Sequence, residues 1–530
     1  MTRLVRVKEC GESGERMFDL VLHNGRLLPM ADAPLGANAV AVRGGRIAAV
    51  GGSEELLTAG AERRIDLGGR TLLPGLNDAH VHVWKVGHLL TSLADLRRGE
   101  SFAEVSSELR QRAERLPADA WIAGRGVNEL RLAEGRLPTR HDLDAALPGR
   151  PVVLTRTCGH VAIASTRALE LAGIGAATEP PSGGEILREA DGSPSGVLTE
   201  TAIPLVQAAM PAPTDADYRE MIAAATRHQL ALGITAATDP GVNDQLLGVY
   251  CAMDAAGELP GRYNVMRFPE SKLPRESPTE HLRVDTVKFF MDGGLSGATA
   301  ALTQRYKHAD TTGVLRLTTG ELIEQARPLA EAGWRIATHV IGDAAIGAAL
   351  GAYAELPKAE GPHRLEHLGL PAGEHLRRAA ELGVGVATQT IFLPELGGNF
   401  RQYLPDEFPV TPYPVRSMLA AGLVTALSSD APVVVDDNPL AGVRAAVDRL
   451  TDGGDEIDAA ESIDVAAALH GYTQAGAVLA GEQASMGSIE IGKWADLAVL
   501  DRDPLETPVE ELTKVRVDMT LVGGEVVFER

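Results

Sequence analysis

Short apolar runs alternate with longer amphipathic stretches through the middle of the chain. The stretches at 319–332 and 373–382 repeat apolar residues at the three- and four-residue spacing of helices, and the short runs are typical of strands. The predicted strands span residues 71–83, 233–239, 263–268, 284–291, 335–340, 363–368, 385–389 and 423–429. Eight strands in alternation with helices predict an α/β protein with a TIM-like (β/α)8 barrel.

Both ends of the chain have a different pattern. β-rich runs at 18–25 and 39–51 are broken by Asn-Gly and Gly-Gly turns, and the runs at 487–500 and 515–528 have the same texture. Two β-only ends around an alternating middle predict one small sheet domain built from both termini. The expected boundaries are 1–70 and 485–530 for this domain and 71–484 for the barrel.

One segment, at about 95–217, interrupts the alternation between the first and second predicted strands. It contains Pro- and Gly-rich loops and one further apolar run at 151–157. Loops at the carboxyl ends of barrel strands build active sites, so we expect this insertion to lie over the barrel mouth. A second Pro- and Gly-rich loop, at 392–411, is expected to act as a substrate lid.

Charge and cysteine content narrow the function classes. A formal net charge of -22 over 530 residues argues against nucleic acid or an anionic membrane as a partner and favours solubility. The cysteines, Cys10, Cys158 and Cys251, show no CxxC spacing, which favours a reducing compartment. Residues 1–17 lack the apolar run of a signal peptide, and no run is long enough to span a membrane. We therefore expect a cytoplasmic protein, and a homo-oligomer is compatible with the sequence.

A histidine pair, His80 and His82, closes the first predicted strand. Side chains two residues apart in a strand point to the same face, so both imidazoles are expected to project together. Two neutral imidazoles on one face form half of a site for zinc or a similar ion. Taken alone, such a pair is explained about equally well by packing or hydrogen bonding.

Further ligand-type residues, His339, His367 and Asp430, end later predicted strands. All parallel strands of a barrel end at one rim, so these side chains are expected to converge with the histidine pair. Four histidines and one aspartate in such positions are hard to explain as core filling, and together they predict a metal site.

Lys288 lies inside the apolar run 284–291. An ammonium in such a strand must be paired, neutralised or modified, because burying a charge is costly. One explanation is an ion pair with Asp285 or Asp292. The other is reaction with CO2 to form a carbamate, an anion able to bridge two metal ions.

These residues and their flanks resemble the amidohydrolase superfamily. More narrowly, they are similar to its YtcJ-like branch, amidohydrolase family 3, which includes N-substituted formamide deformylases. The matching stretches are residues 73–82, 287–293, 339–345, 363–367, 427–432 and 487–496. They follow the family's order from about residue 18 to the last residue, so the resemblance covers nearly the whole chain.

The resemblance implies a TIM-like barrel, a small β-sandwich formed by both termini, and one or two divalent ions, usually zinc, with manganese or iron as alternatives. The implied metal ligands are His80, His82, Lys288, His339, His367 and Asp430. The first two histidines would bind one ion and the last two the other, and a carbamate on Lys288 would bridge them. Asp430 would also be the catalytic acid and base.

The insertion carries the residues expected to shape the substrate pocket. His160 stands in a Gly-His segment of this branch, either pointing into the pocket as a catalytic group or packing elsewhere, and Glu200 is either a pocket residue or a helix N-terminal acid. Cys158 replaces the Asp or Ser usual before Gly-His, and Ser165–Thr166 replaces an Asn-Ser pair. Cys158, Glu200 and Asp292 are the predicted pocket residues.

The expected function is hydrolysis of a C–N bond in a small-molecule substrate, a linear amide or an N-substituted formamide. The same site would also serve cyclic amides, esters or amidines, the last by deamination. A non-catalytic metal-binding regulator on a hydrolase scaffold is a further alternative, although none of the six implied ligand positions has been lost.

Overall fold

The computed structural model describes residues 18–129, 131–157, 159, 161–181, 184–272, 274–275 and 278–530. The strands, in chain order, are β1 (Phe18–His23), β2 (Arg26–Leu27), β3 (Ala39–Arg43), β4 (Arg46–Gly51), β5 (Ala61–Asp66), β6 (Thr71–Pro74), β7 (Leu76–Asp78), β8 (Leu93–Asp95), β9 (Ile122–Val127), β10 (Val152–Arg156), β11 (Val161–Ala164), β12 (Ile186–Arg188), β13 (Pro194–Thr199), β14 (Ile234–Val242), β15 (Arg262–Arg267), β16 (Leu282–Phe290), β17 (Arg335–Val340), β18 (Arg364–His367), β19 (Gly385–Thr388), β20 (Thr425–Leu427), β21 (Leu497–Leu500), β22 (Val517–Val522) and β23 (Glu525–Glu529).

The α-helices, in chain order, are α1 (Ser53–Thr58), α2 (Val83–Thr91), α3 (Phe102–Ala113), α4 (Arg140–Ala146), α5 (Thr166–Leu171), α6 (Ile203–Gln207), α7 (Asp215–Ala231), α8 (Asp244–Ala255), α9 (Thr319–Glu331), α10 (Asp343–Tyr353), α11 (Gly373–Leu382), α12 (Phe392–Tyr403), α13 (Val415–Ala420), α14 (Pro439–Asp448), α15 (Val465–Gly471) and α16 (Gln474–Ala480). Several have sequence-encoded starts. Thr214 caps α7 together with Asp217, and Thr318 caps α9 together with Glu321, each pair forming a capping box.

Eight parallel strands form the barrel, in the order β7, β14, β15, β16, β17, β18, β19 and β20. Each predicted strand overlaps one of these, so the predicted fold class is confirmed. The first and last strands of this order, β7 and β20, are connected by hydrogen bonds between the residues that follow them. The backbone N–H of Asp430 donates to the carbonyl of His80 (2.8 Å), and that of His82 donates to the carbonyl of Ala431 (3.0 Å). The barrel therefore closes at the same residues that carry the predicted site.

The first predicted strand, 71–83, is wrong as a single element. Thr71–Pro74 pairs antiparallel with β21, whereas Leu76–Asp78 pairs parallel with β14 in the barrel. The chain changes sheet at Gly75, where a Cβ would lie 2.0 Å from the hydroxyl oxygen of Thr235. His80 and His82 consequently follow the end of β7, and strand alternation does not set their directions.

Two sheets combine both ends of the chain. One has the order β4, β3, β1, β5, and the other has the order β2, β6, β21, β22, β23. A shared apolar cluster fills the space between them, with Leu20, Val40, Leu72, Leu497 and Leu521 among its buried residues. Both sheets thus bury one face against the other, as in a sandwich.

The insertion contains a six-stranded sheet in the order β12, β13, β11, β10, β9, β8, of which the sequence predicted only β10. It reaches the carboxyl rim of the barrel, because Arg97 donates from Nη1 to the carbonyl of Val434 (2.6 Å). Segment 392–411, expected to be a loop, instead begins with helix α12. Phe392, Leu393 and Phe400 on that helix join a buried apolar cluster, which explains the helical start. No helix within the described ranges is long and apolar enough to cross a membrane.

Candidate metal centre

Three buried side chains converge at the carboxyl rim of the barrel. One donor atom from each of His80, His367 and Asp430 lies within 4.8 Å of the others. His80 follows β7, His367 ends β18 and Asp430 follows β20, so the group joins three separate strands. Residues up to 350 positions apart in sequence are thereby brought to one point, as parallel strands of a barrel allow.

The second histidine of the pair joins this group through Asp430. Oδ1 of Asp430 lies 3.4 Å from Nε2 of His80 and 3.3 Å from Nε2 of His82. The two imidazole rings are perpendicular, with centroids 5.8 Å apart. In the part of the chain that the structure describes, Oδ1 of Asp430 has no hydrogen-bond partner although it is buried. An unpartnered carboxylate oxygen facing two imidazole nitrogens is a suitable place for a cation.

His367 and Asp430 both have left-handed backbones, with φ of 73° and 51°. A positive φ is uncommon for residues other than glycine and costs conformational free energy, on the order of 1–3 kcal/mol. At His367 it also breaks strand alternation. Glu366 and His367 are neighbours in the same strand, and both nevertheless face the group at the rim. Backbone strain at these two positions therefore aims the side chains into the site.

The ring of His80 is oriented by a hydrogen bond with Glu366. Oε2 of Glu366 is hydrogen-bonded to Nδ1 of His80, which leaves Nε2 facing Asp430. The carboxylate is in turn held by Arg364, whose Nε donates to Oε1 (2.8 Å) and whose Nη2 donates to Oε2 (3.1 Å). Burial would raise the pKa of Glu366, but Arg364 and His80 hold it below its usual range. Glu366 is therefore a carboxylate that fixes the ring of His80.

The other two histidines have their own partners. Nδ1 of His367 lies 2.8 Å from Oε1 of Gln389, and Nδ1 of His339 lies 3.0 Å from Oδ1 of Asp292. The rings of His339 and His367 have centroids 4.5 Å apart, which places His339 beside the three-residue group. With Nδ1 occupied on each ring, Nε2 is left for a ligand.

Asp292, a predicted pocket residue, has structural partners behind the cluster. This residue is fully buried behind His339, and its Oδ2 accepts backbone hydrogen bonds from Ala301 (3.1 Å) and Gly342 (2.8 Å). Its Oδ1 accepts from the backbone of Ile341 (3.1 Å). Asp292 therefore positions His339 and the following loop.

Burial keeps the imidazoles in the ligand-competent neutral form. It lowers the pKa of His82 to about 3, and it also lowers the pKa values of His80 and His367. For Asp430 burial acts in the opposite direction, but the neighbouring imidazoles of His82, His80 and His367 hold its pKa well below the usual range. Neutral imidazoles around an ionised carboxylate are the donor set that divalent zinc and similar ions require.

Lys288 lies in β16 with its side chain buried. Neither carboxylate proposed as its partner pairs with it, because Asp285 binds Arg335 (2.6 Å) and Asp292 is used by His339. Among the described residues, Nζ of Lys288 has no hydrogen-bond partner. Burial lowers its pKa to about 8, opposed by the charges of Glu366 and Asp430. A buried, unpartnered amine beside the cluster fits the carbamate prediction, since only a neutral amine reacts with CO2.

The predicted residues of the insertion are placed less completely. Cys158 and His160 lie outside the described residues. Glu200 is exposed and begins a short 3-10 helix directly after β13, in agreement with the helix-terminal alternative. The departures at Ser165 and Thr166 have local structural roles. Ser165 caps α5 through the N–H of Ala168 (3.3 Å), and the hydroxyl of Thr166 donates to Asp144 (2.5 Å).

Sequence reasoning missed the residues that support the ligands. Besides Glu366 and Gln389, Asp78 accepts hydrogen bonds from the N–H (3.0 Å) and the hydroxyl (2.5 Å) of Ser429, the residue before Asp430. Burial raises the pKa of Asp78 to about 7, although both hydrogen bonds from Ser429 lower it. The sequence did carry a signal, since Glu366 is adjacent to His367, Asp78 lies two residues before His80, and polar residues are rare in such apolar strands.

A parallel barrel with imidazole and carboxylate donors at its carboxyl rim defines the class of metal-dependent hydrolases. Comparison with known families agrees. The sequence profile of the amidohydrolase family matches residues 63–528. The chain belongs to the amidohydrolase family and is a hydrolytic enzyme.

Relatives of known name and structure cover nearly all of the chain. It is 30% identical to the N-substituted formamide deformylase of Arthrobacter pascens, covering 97% of this chain and 99% of that one. It is 29% identical to the protein named YtcJ in Bacillus subtilis, covering 96% and 99%. A solved structure of an uncharacterized metal-dependent hydrolase from Pyrococcus horikoshii superposes with a TM-score of 0.78 at 26% identity, covering 93% and 99%.

Proposed function

We propose that the protein hydrolyses the C–N bond of a linear amide or an N-substituted formamide. The observation that carries this proposal is the unpartnered Oδ1 of Asp430 between the Nε2 atoms of His80 and His82. This arrangement provides both a cation site and a carboxylate free to move a proton. The name of the deformylase relative supports the amide class, and small N-formyl amines are therefore the first compounds to test.

The proposed metal site uses every position that the resemblance implied. The ligands would be His80, His82, Lys288 as a carbamate, His339, His367 and Asp430, holding one or two ions, with zinc the preferred metal. A divalent ion, when bound, supplies a water molecule of lowered pKa and polarises a substrate carbonyl. The neutral imidazoles and the carboxylates are already in the protonation states in which they bind such an ion.

Asp430 would transfer the protons. It accepts one from the attacking water and delivers it to the leaving nitrogen, because an unprotonated amine anion leaves poorly. Its pKa lies below the usual range, so the carboxylate is ionised and ready to accept at neutral pH. His160, which lies outside the described residues, is proposed to polarise the substrate carbonyl from the insertion.

The experiment compares Asp430→Asn with the wild type. The variant is expected to lose turnover by about 100-fold or more while keeping most of its metal, because the three or more remaining ligands still hold the ion. Metal content is measured by plasma mass spectrometry. Turnover is measured by release of amine from N-formyl amines and N-acyl amino acids, ring opening of cyclic amides, release of acid from esters and release of ammonia from amidines. Asp310→Asn, at an exposed carboxylate, is the matched control.

Two outcomes would overturn the proposal. Full turnover in Asp430→Asn would remove this residue from the mechanism. Active protein without a transition metal would remove the metal site as a whole. Hydrolysis confined to cyclic amides, esters or amidines would retain the site and replace the proposed substrate class.

A further inference from the structure

Lys85 lies one helical turn beyond the metal-site histidine His82. Helix α2 begins at Val83, directly after His82, so Lys85 is the third residue of its first turn. Residues three apart in a helical turn lie on the same side, about 5–6 Å apart at their Cβ atoms. Burial lowers the pKa of His82 the most. Among the neighbouring charges, the ammonium of Lys85 lowers it the most.

The fold does not account for a cation at this position. The first turn of a helix favours acidic side chains, because its N–H groups create partial positive charge there. Helix α2 has no acidic residue in that turn. Its N–H groups at Val83 and Trp84 are instead faced by the buried carboxylate of Asp239. Lys85 therefore adds positive charge where the helix already has it.

Among the described residues, the ammonium of Lys85 contacts only an aromatic ring. Over the described ranges it forms no hydrogen bond or ion pair, and its Nζ lies 5.8 Å from the centre of the Trp84 ring. The side chain is exposed to solvent, yet charges from three other segments act on it: Asp430, Arg125 and Asp239. Lys85 is therefore an exposed cation in the first turn of the helix that directly follows His82, and it is attracted by the charge of Asp430.

Arg125 adds a second positive charge from the insertion. It lies on β9, the neighbour of edge strand β8, and its charge repels that of Lys85. The positive charge of Lys85 beside the reaction centre contrasts with the chain's net charge of -22, which would otherwise repel anions. The carboxylate of Asp430 attracts the ammonium of Lys85, and a cation bound at the cluster would offset the charge of that carboxylate.

We propose that Lys85 forms a subsite for a negatively charged group on the substrate, a carboxylate or a sulfonate. This inference rests on the proposed function and narrows it. The enzyme would prefer amides whose leaving amine or acyl part carries an anion. In this arrangement the ammonium binds the anionic end, while the scissile amide lies at Asp430.

The competing explanation is structural. Lys85 would then only offset the negative charges of Asp239 and Asp430. Removing its charge would affect neutral and anionic substrates equally, because the change would act on the reaction centre. A set of substrates that differ in charge alone separates the two explanations.

The test uses three compounds of equal length: N-propylformamide, N-formyl-β-alanine and N-formyltaurine. The sulfonate of N-formyltaurine is a poor metal ligand, so its binding reports on the cationic subsite. We measure kcat/KM for each compound with the metal-loaded full-length wild type, Lys85→Met and Lys85→Arg. Lys514→Met, at a largely exposed lysine, is the control. Titration calorimetry gives Kd for the same compounds, so that the subsite is tested even where turnover is absent.

We expect the wild type to prefer both anionic compounds, and Lys85→Met to lower the ratio of anionic to neutral kcat/KM by about 10- to 100-fold, as for a lost charged hydrogen bond. The calorimetric Kd for N-formyltaurine should rise similarly, and Lys85→Arg should restore most of the preference. An unchanged ratio and Kd, or an equal loss for all three compounds, would overturn the inference while leaving the hydrolase proposal intact. Selective binding without hydrolysis of any compound would support the subsite and count against the proposed reaction.

Discussion

Glu366 fixes the ring of His80 by binding Nδ1, and Arg364 holds Glu366 in place from the other side. Outer partners of this kind raise the affinity of a ligand histidine for its metal. We predict that Glu366→Gln lowers zinc affinity by about 10- to 100-fold, because an amide at this position no longer provides a charge for the ring N–H or for Arg364. Competition with a fluorescent chelator measures the change.

The matched control is Glu381→Gln, at an exposed glutamate on α11. Its zinc affinity should equal that of the wild type. Equal affinity in Glu366→Gln as well would mean that His80 needs no carboxylate to bind metal.

Lys288 provides a test of carbamate formation. We predict that metal-free enzyme, when zinc is added back, recovers activity slowly in CO2-free buffer and quickly when bicarbonate is also present. The rate should increase as the pH rises towards 8, because the pKa of about 8 leaves only about a tenth of the amine neutral at pH 7. Lys288→Ala should lose activity and regain part of it with acetate or propionate, which can supply the missing carboxylate.

Lys514→Ala controls for loss of a lysine elsewhere. Recovery at the same rate with and without bicarbonate, together with no response of Lys288→Ala to short carboxylic acids, would rule out the carbamate. Lys288 would then act as a plain ammonium near Glu366.

Asp239 should make stability depend on pH. Burial raises its folded pKa to about 7, opposed by its hydrogen bond from Tyr250, while the unfolded value is near 3.8. The folded state thus binds the proton more tightly, so this contribution to stability is fully present below about pH 4 and is lost as the pH rises through 7. Asp239→Asn cannot lose a proton. Relative to the wild type, it should gain about 2–4 kcal/mol between pH 4 and pH 8.

Thermal unfolding at a series of pH values measures this difference. In Asp310→Asn, at an exposed carboxylate, stability should change with pH in the same way as in the wild type. A constant offset between Asp239→Asn and the wild type would show that Asp239 titrates alike in the folded and unfolded states.

Gly87 allows α2 to pack closely against α7. A Cβ at this position would lie 1.8 Å from the carbonyl oxygen of Met221. That atom belongs to the backbone, so relieving the clash requires the two helices to move apart. Gly87→Ala should therefore lower Tm by several degrees and weaken metal binding, because α2 follows His82 directly. Calorimetry and metal titration are the measurements.

Gly248→Ala is the control within another helix, α8, where nothing lies within 4 Å of the added Cβ. It should keep or slightly raise Tm, since alanine favours the helix by about 1 kcal/mol over glycine. Equal effects of both substitutions would show that helix propensity, and not the contact with Met221, governs the response.

The alternation of apolar runs was sufficient to predict the barrel, because each parallel strand between helices is a short continuous apolar run. It was also sufficient to place His339, His367 and Asp430 at one rim. The alternation could not predict the directions of the His80 and His82 side chains, since the sheet change at Gly75 depends on contact with Thr235, a residue 160 positions away. Strand alternation likewise gave no indication that Glu366 and His367 face the same site, because a positive φ at a histidine has no sequence signature.

The supporting residues show the same limit. Glu366, Gln389 and Asp78 act through hydrogen bonds to side chains on other strands, and such partners follow from the barrel's register and not from local pattern. Lys85 was overlooked for a different reason. A lysine in an amphipathic helix is usually a solvated side chain, and only the start of α2 directly after His82 brings it to the metal site.

The pairing of β6 with β21 has a consequence for how the protein is made. Thr71–Pro74 needs Leu497–Leu500 as its partner, and the barrel's first strand begins only two residues after Pro74. On a ribosome, that partner emerges more than 400 residues later. The edge of β6 that pairs with β21 therefore stays unpaired for almost the whole of synthesis. Fusions or truncations at the C-terminal end should accordingly affect soluble yield and metal loading, although no metal ligand lies near them.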